Sequence, residues 1–212
     1  MARRYEQITE LYRQSIREIT SRPENWTSFL RSACRNYRLP FDELVLIYAQ
    51  RPDATAVLPI EGKNGWNKRF GRWVNKGSTG IAVFDREYVQ GTRLKYYFDI
   101  SDTHEDYYGS RPVPIWQMDE RYEQAVKERL SDRFGELEET DLAKTLFKTA
   151  ENAVEDNLPD YLSQLKGVTQ DSFLEELDEY NIEVLYKRLA VNSVAFMPVS
   201  YTHLTLPTIL RV

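Results

Sequence analysis

The sequence predicts an α+β fold in which N-terminal helices pack on a small antiparallel sheet and a C-terminal helical layer follows. Apolar residues recur at helical spacing over the first 50 residues and again from Asp119 onward. Between them, residues 93–100 alternate between apolar and polar side chains, which is the period of a β-strand. The chain has 212 residues, of which 42% are hydrophobic, so it can bury one core or two small ones.

Three helices are expected at the start of the chain. Pro23 ends or interrupts the first helix, and Asn25 can cap the second. Leu39-Pro40 stops the second helix, and Pro40 opens a third from Phe41 to about Gln50. The first two helices carry apolar faces formed by Tyr5, Ile8, Leu11, Tyr12, Ile16 and Ile19, and by Trp26, Phe29, Leu30, Ala33 and Tyr37.

The strands are expected in the middle of the chain, at 55–58, 81–84 and 93–100, with a hairpin joining the last two. Residues 66–71 suit one or two helical turns, and residues 101–118 have no regular pattern. The strand at 93–100 has one apolar and one polar face. The apolar face holds Leu94, Tyr96, Phe98 and Ile100, and the polar face holds Arg93, Lys95, Tyr97 and Asp99.

The second half of the chain is predicted to be helical, with breaks at Gly135, Pro159 and Gly167. The helices that these residues separate are expected at 119–134, about 139–157, 159–166 and 171 to about 193.

Charge also divides the chain into two parts. Residues 1–118 hold 18 Lys and Arg against 14 Asp and Glu, a net charge of +4, whereas residues 119–212 hold 10 against 19, a net charge of −9. Residues 62–95 hold eight basic and two acidic side chains, and such a local excess can attract phosphate even in an acidic chain. We therefore expect an N-terminal helix at 1–22, an α+β domain at 23–118 and a helical region at 119–197.

The last residues differ from the charged helix before them. Residues 198–208 carry no charge and no helical period, and they resemble the in-frame translation of a transposase end sequence used in sequencing-library adapters. We expect residues 198–212 to be a non-native tail that replaces the natural sequence after Met197, and we assign no function to His203.

The composition excludes several function classes. No window approaches the ~18 uncharged apolar residues of a membrane span, and the N-terminus is no signal peptide, so we expect a cytoplasmic protein that does not contact membranes. Cys34 is the only cysteine and cannot form an internal disulfide. The sequence lacks the P-loop, zinc-protease, nucleophile-elbow and adenine-methylase motifs, so we expect no catalytic residues, no cofactor and no metal. His104, among acidic residues, is the one weak alternative as a metal or proton site.

The most informative stretch is 66–80, in which aromatic and basic residues interleave and two glycines flank a Ser-Thr pair. Single-stranded nucleic acids bind such mixtures, because bases stack on exposed rings while Lys and Arg follow the phosphates. The backbone amides of Lys76 to Gly80 could also hold a phosphate. With the polar face of the strand at 93–100, the candidate DNA contacts are Trp66, Lys68, Arg69, Arg72, Trp73, Lys76, Arg93, Lys95 and Tyr97. In the alternative interpretation, Trp66, Phe70 and Trp73 are core residues at helical spacing.

Residues 23–30, 44–52, 66–84 and 96–103 resemble the N-terminal region of the large helicase and adenine-specific methylase proteins of bacterial conjugative elements. The resemblance covers about residues 20–196 and implies that helicase and methylase domains of the same parent protein are partners. More distantly, the Lys-Gly-x-x-Gly turn and the Tyr-x-Phe-Asp-Ile strand are similar to the N-terminal domain of ArdC-type antirestriction proteins. That domain binds single-stranded DNA, whereas the zinc site that follows it in those proteins has no counterpart here.

Two hypotheses follow. In the first, the chain is a non-catalytic accessory module that binds single-stranded DNA for a mobile-element helicase or methylase. In the second, it is a protein-interaction or scaffolding module whose helices dock onto those catalytic domains, and the tryptophans are core residues. The second hypothesis predicts exposed apolar surface on the C-terminal helices.

Overall fold

The computed structural model describes residues 2–60, 62–88, 92–115, 119–137, 141–169 and 172–202. The chain divides into two compact units, Met1–Trp116 and Gln117–Val212. The first unit, called unit 1, contains helices and a sheet, and the second, called unit 2, is helical. The α+β class is therefore as predicted.

Unit 1 opens with the three expected helices: α1 (Ala2–Ile19), α2 (Pro23–Ala33) and α3 (Phe41–Gln50). Asn25 does not cap α2, because the helix already begins at Pro23, where the missing N–H of proline costs no hydrogen bond. The Asn25 side chain instead donates to the carbonyl of Glu18 and the hydroxyl of Ser21, which ties α2 to the end of α1.

Five short strands follow: β1 (Val57–Leu58), β2 (Arg72–Val74), β3 (Ile81–Phe84), β4 (Leu94–Asp99) and β5 (Thr103–Glu105). Strands β1, β4 and β3 form an antiparallel sheet in that order, with β4 in the centre, and the expected β3–β4 hairpin is present. Strands β2 and β5 form a separate antiparallel ribbon in which Trp73 pairs with His104. Neither strand of this ribbon was predicted, because three residues are too few to display an alternation.

The core of unit 1 covers both faces of β4. Tyr97 lies in a cluster with side chains of α1, α3 and β3, while Phe98 packs with Trp66 and Phe70 on the other side. The prediction that one face of this strand is open to solvent is therefore wrong for Tyr97 and Asp99, which are buried. The helices of unit 1 bury the face of β4 that carries Tyr97. Residues 66–70, which precede β2, bury part of the opposite face of this strand.

Unit 2 contains α4 (Glu123–Phe134), α5 (Leu142–Lys166) and α6 (Glu179–Thr202). The predicted break at Pro159 is wrong, since α5 continues through it. Pro159 lies on the exposed side of α5, where water can bind the carbonyl that loses its partner.

The last helix also differs from its prediction at both ends. It begins at Glu179, after a short 3₁₀ turn at Phe173–Glu176, rather than at residue 171. It continues through Pro198 to Thr202, so the predicted loss of helix at residue 198 is wrong for the first five residues of the tail. The reason is burial, because Val199 is fully buried and packs against Leu142 and Leu146. Residues 203–212 lie outside the described residues, and the adapter origin of the tail stays a prediction.

Over the described residues, no helix combines the length and the apolar character that crossing a membrane requires.

Candidate nucleic-acid interface

Trp66 and Trp73 lie in opposite environments. Trp66 begins the π-helical turn Trp66–Phe70 and is fully buried, and its Nε1–H donates to the Phe98 carbonyl at 2.8 Å. Its ring lies 5.6 Å from that of Phe70. The prediction of Trp66 as a DNA contact is therefore wrong, since a buried ring has no face on which a base can stack.

Tyr97 is buried, and the partly exposed Lys95 bonds to the same internal carboxylate. The Tyr97 hydroxyl donates to Glu43 Oε2 at 2.8 Å, and Lys95 Nζ lies 2.7 Å from Glu43 Oε1. Burial and the bond to Glu43 raise the pKa of Tyr97 to about 12, against the opposing effect of Lys95. Burial lowers the pKa of Lys95, but its bonds to Glu43 and Tyr97 outweigh that effect and raise it above its ordinary value. The burial of Tyr97 contradicts its prediction as a DNA contact. The Lys95 side chain is 30% exposed beside its ion pair, so its contact with DNA stays a prediction.

Half of the basic residues in the 62–95 cluster form ion pairs within the protein. Arg72 pairs with Glu105, Arg86 with Asp42, Arg93 with Asp85 and Lys95 with Glu43. Arg72 also donates to the Thr103 hydroxyl at 2.8 Å and to its carbonyl at 3.0 Å, so its role is to hold β2 against β5. Among the described residues, ion pairs are not found for the exposed Lys63, Lys68, Arg69 and Lys76. These four side chains retain the charge that a phosphate needs.

The β2–β5 ribbon presents one aromatic and polar face. Trp73 is 49% exposed and lies opposite His104 across the ribbon. The Trp73 Nε1–H donates to Asp106 Oδ2 at 3.3 Å, and His104 Nδ1 lies 2.7 Å from Asn75 Oδ1. Because side chains alternate along a strand, Val74 points the other way and packs in the core beside Trp66.

Two further aromatic residues lie beside this ribbon. Tyr107 and Tyr108 are 95% and 92% exposed, and their perpendicular rings are 5.5 Å apart. Backbone bonds hold their loop against the start of β2: the Asp106 amide donates to the Gly71 carbonyl, and the Arg111 amide donates to the Phe70 carbonyl. Neither tyrosine was among the predicted contacts, although adjacent aromatic residues in a polar segment without periodicity could have indicated exposed rings.

We use the name ribbon surface for the exposed rings and cations on β2, on β5 and on the segments that flank these two strands. It contains the exposed rings of Trp73, His104, Tyr107 and Tyr108 and the exposed cations Lys68, Arg69, Lys76 and Arg111. Four of the nine predicted contacts belong to it, namely Trp73, Lys68, Arg69 and Lys76. Arg93 lies at the start of β4 instead, with its guanidinium 5.3 Å from the centre of the Tyr88 ring.

The loop after β2 is partly committed to internal bonds. Gly77 adopts a positive φ of 92°, as a turn there requires, but the Ser78 amide donates to the Asn75 carbonyl. At least one of the amides predicted to hold a phosphate is therefore already bonded. Within the described residues, no three His, Cys, Asp or Glu side chains are grouped so as to hold a metal ion.

No protein-family model, curated protein or solved structure matches this chain.

Proposed function

We propose that the protein binds single-stranded DNA through the ribbon surface, as an accessory module of a mobile-element helicase or methylase protein. The observation that carries this proposal is the exposure of Trp73, Tyr107 and Tyr108 near cations for which the described residues show no internal ion pair. The rings of Tyr107 and Tyr108 are too exposed to add to the core, and half of Trp73 is open to solvent, whereas stacking of a base on such a ring contributes roughly 1–3 kcal/mol. The accessory role rests on the resemblance of the sequence to the conjugative-element proteins.

The arrangement favours single strands over duplexes. In a duplex the base faces are already stacked on one another, so only the phosphates remain for Lys68, Arg69 and Lys76. In a single strand the bases can turn toward the rings while the phosphates meet the cations. Repulsion between Glu105 and the phosphates is reduced, because Arg72 partly neutralises the charge of this carboxylate.

Fluorescence anisotropy with labelled oligothymidylate and a duplex of equal length tests this proposal. We expect tighter binding of the single strand and weaker binding as salt is added. Trp73→Ala should lower the affinity by roughly 5-fold or more, which is the loss of one stacked base. The Tyr107→Ala, Tyr108→Ala double variant should lower it further.

Two controls lie in the acidic unit 2. Tyr180→Ala removes another exposed tyrosine, and Lys144→Ala removes an exposed lysine, so neither should change the affinity. Absence of binding at low salt, or equal losses in the controls and the ribbon variants, would refute the proposal.

One observation favours the alternative function of protein interaction. The large apolar side chains Val184, Leu185, Leu189 and Val194 of α6 are each 45–49% exposed. In this alternative, α6 docks onto a helicase or methylase domain of the same parent protein, the partner that the resemblance implies. The double variant Leu185→Glu, Leu189→Glu would then abolish binding to that domain and leave the affinity for DNA unchanged. Loss of DNA affinity in this variant would contradict the alternative function.

A further inference from the structure

A shallow cavity of about 310 Å³ lies on unit 1, outside the ribbon surface. Its wall includes Pro59 and Ile60, which follow β1, and Leu94, Tyr96 and Phe98 of β4. The volume is at the lower end of the range for ligand sites in proteins, which suits one planar ring better than a large ligand.

The cavity has an apolar floor, and Arg93, Lys95 and Tyr96 are the polar residues that line it. Leu94, Tyr96 and Phe98 lie on the same face of β4, because side chains alternate along a strand. Phe98 is nearly buried, whereas Tyr96 is 45% exposed. Within the described part of the chain, the Tyr96 hydroxyl has no hydrogen-bond partner, so it remains available to a ligand. Tyr96 thus offers a ring for stacking and a hydroxyl that can bond to the edge of a base.

The loop at 75–80 connects this cavity to the ribbon surface. It leaves the ribbon at Asn75, exposes Lys76 and reaches β3 at Gly80. Gly80 lies so close to the cavity wall that a Cβ there would be 3.1 Å from the Tyr96 Cβ and 2.9 Å from the Phe98 Cζ. A DNA strand that runs from Trp73 along this loop passes the exposed Lys76 before it reaches Tyr96.

We propose that this cavity binds one unpaired base of the same DNA strand that occupies the ribbon surface, stacked on Tyr96, with the adjoining phosphate at Lys76. This inference rests on the proposed function and extends the interface to the face of β4 that was predicted to be apolar. A paired base cannot enter, so the cavity adds a second reason for preferring single strands.

A set of oligothymidylates, each carrying the fluorescent base 2-aminopurine at a different position, tests the cavity in the full chain. Fluorescence of this base changes when it stacks on a ring. We expect one position whose signal depends on Tyr96, and an affinity loss of roughly 5-fold or more in Tyr96→Ala. Tyr96→Phe should keep the stacking signal, and Ile60→Trp should abolish it by filling the cavity.

The outcomes separate this inference from the proposed function. If the wild-type chain binds and Trp73→Ala weakens binding, but Tyr96→Ala and Ile60→Trp leave the signal and affinity unchanged, the cavity proposal is wrong and the ribbon proposal stands. If the wild-type chain binds no oligonucleotide, both are wrong. Tyr180→Ala is the matched control, and circular dichroism of each variant shows that a loss does not come from unfolding.

Discussion

Trp66 and Trp73 show how two residues of one type, seven positions apart, take different roles. The indole of Trp66 fills the core under β4 and bonds to the Phe98 carbonyl, whereas that of Trp73 lies at the surface of the ribbon. The π-helical turn and the left-handed Gly71 between them turn the chain, so that the second indole leaves the core.

Substitution of these two tryptophans should separate stability from binding. We expect Trp66→Ala to lower the free energy of unfolding by about 3–5 kcal/mol, because it leaves a cavity and an unbonded carbonyl. Trp73→Ala should change it by about 0.5 kcal/mol or less, as exposed positions do. Urea unfolding followed by circular dichroism measures both, and similar losses would contradict the assignment of Trp66 to the core and Trp73 to the surface.

Asp99 is a second residue whose burial has a measurable consequence. Burial raises the pKa of its carboxyl, but hydrogen bonds from Ser101 and from the amides of Ala56 and Thr55 outweigh burial and hold the pKa below 3.8. The folded state therefore favours the carboxylate. Its contribution to stability is fully present well above the ordinary pKa of an aspartate and is lost as the pH falls through the lower pKa of the folded state.

Asp99→Asn should remove this dependence. We expect the variant to lose about 1–3 kcal/mol of unfolding free energy at neutral pH and to show a shallower decline in acid than the wild-type chain. Urea midpoints measured across the acid range test this expectation. Asp160→Asn, which changes an exposed carboxylate of α5, is the control. An equally steep acid decline in wild type and Asp99→Asn would show that other carboxyl groups dominate.

At the scale of elements, the ribbon surface depends on one close contact between loops. Gly71 has a φ of 63°, and a Cβ at this position would lie 3.1 Å from the Gly109 carbonyl oxygen. This contact lets the loop with Tyr107 and Tyr108 lie against the start of β2. The position of these tyrosines therefore depends on a glycine more than 30 residues earlier in the chain.

Gly71→Ala should disturb the tyrosine loop, whereas Gly62→Ala should not. Both glycines have positive φ, so each alanine should cost about 1 kcal/mol of stability through backbone strain. Space around Gly62 is open, and only an alanine at Gly71 meets another loop. We expect Gly71→Ala alone to weaken binding of oligothymidylate in the anisotropy assay. Equal affinities of the two variants would show that the tyrosine loop does not contribute.

At the scale of the whole molecule, a chain with a negative net charge carries a basic surface. The net charge is −5, yet residues 1–118 carry +4, and four exposed cations, Lys68, Arg69, Lys76 and Arg111, belong to the ribbon surface. Internal pairing of Arg72, Arg86, Arg93 and Lys95 limits how many phosphates the surface can meet.

This limit predicts the salt dependence of binding. With Lys68, Arg69, Lys76 and Arg111 as phosphate contacts, the logarithm of the association constant should fall with the logarithm of salt at a slope no steeper than about −2.8. Lys68→Ala with Lys76→Ala should reduce the slope by about 1.4. Anisotropy titrations at several salt concentrations give these slopes, and a steeper wild-type slope would mean that cations elsewhere also bind the strand.

The sequence by itself determined the features that depend on neighbours along the chain. Helical spacing placed α1, α2 and α3, and the alternation in β4 together with the short run in β3 indicated the hairpin. The interleaving of aromatic and basic residues in 66–76 also indicated the segment that contains half of the residues of the ribbon surface. Local patterns are enough here, because backbone bonds within a helix or a hairpin join residues that are close in sequence.

The tertiary structure alone decided which of those residues face the solvent. Tyr97 and Lys95 were predicted at the surface, but both bond to Glu43 of α3. Tyr107 and Tyr108 lie beside the ribbon because Gly71 lets their loop approach the start of β2. Pro198 did not end α6, because Val199 is buried against α5. Burial and ion pairing join residues that are tens of positions apart in the chain, and the periodicity of a single segment carries no information about such distant partners.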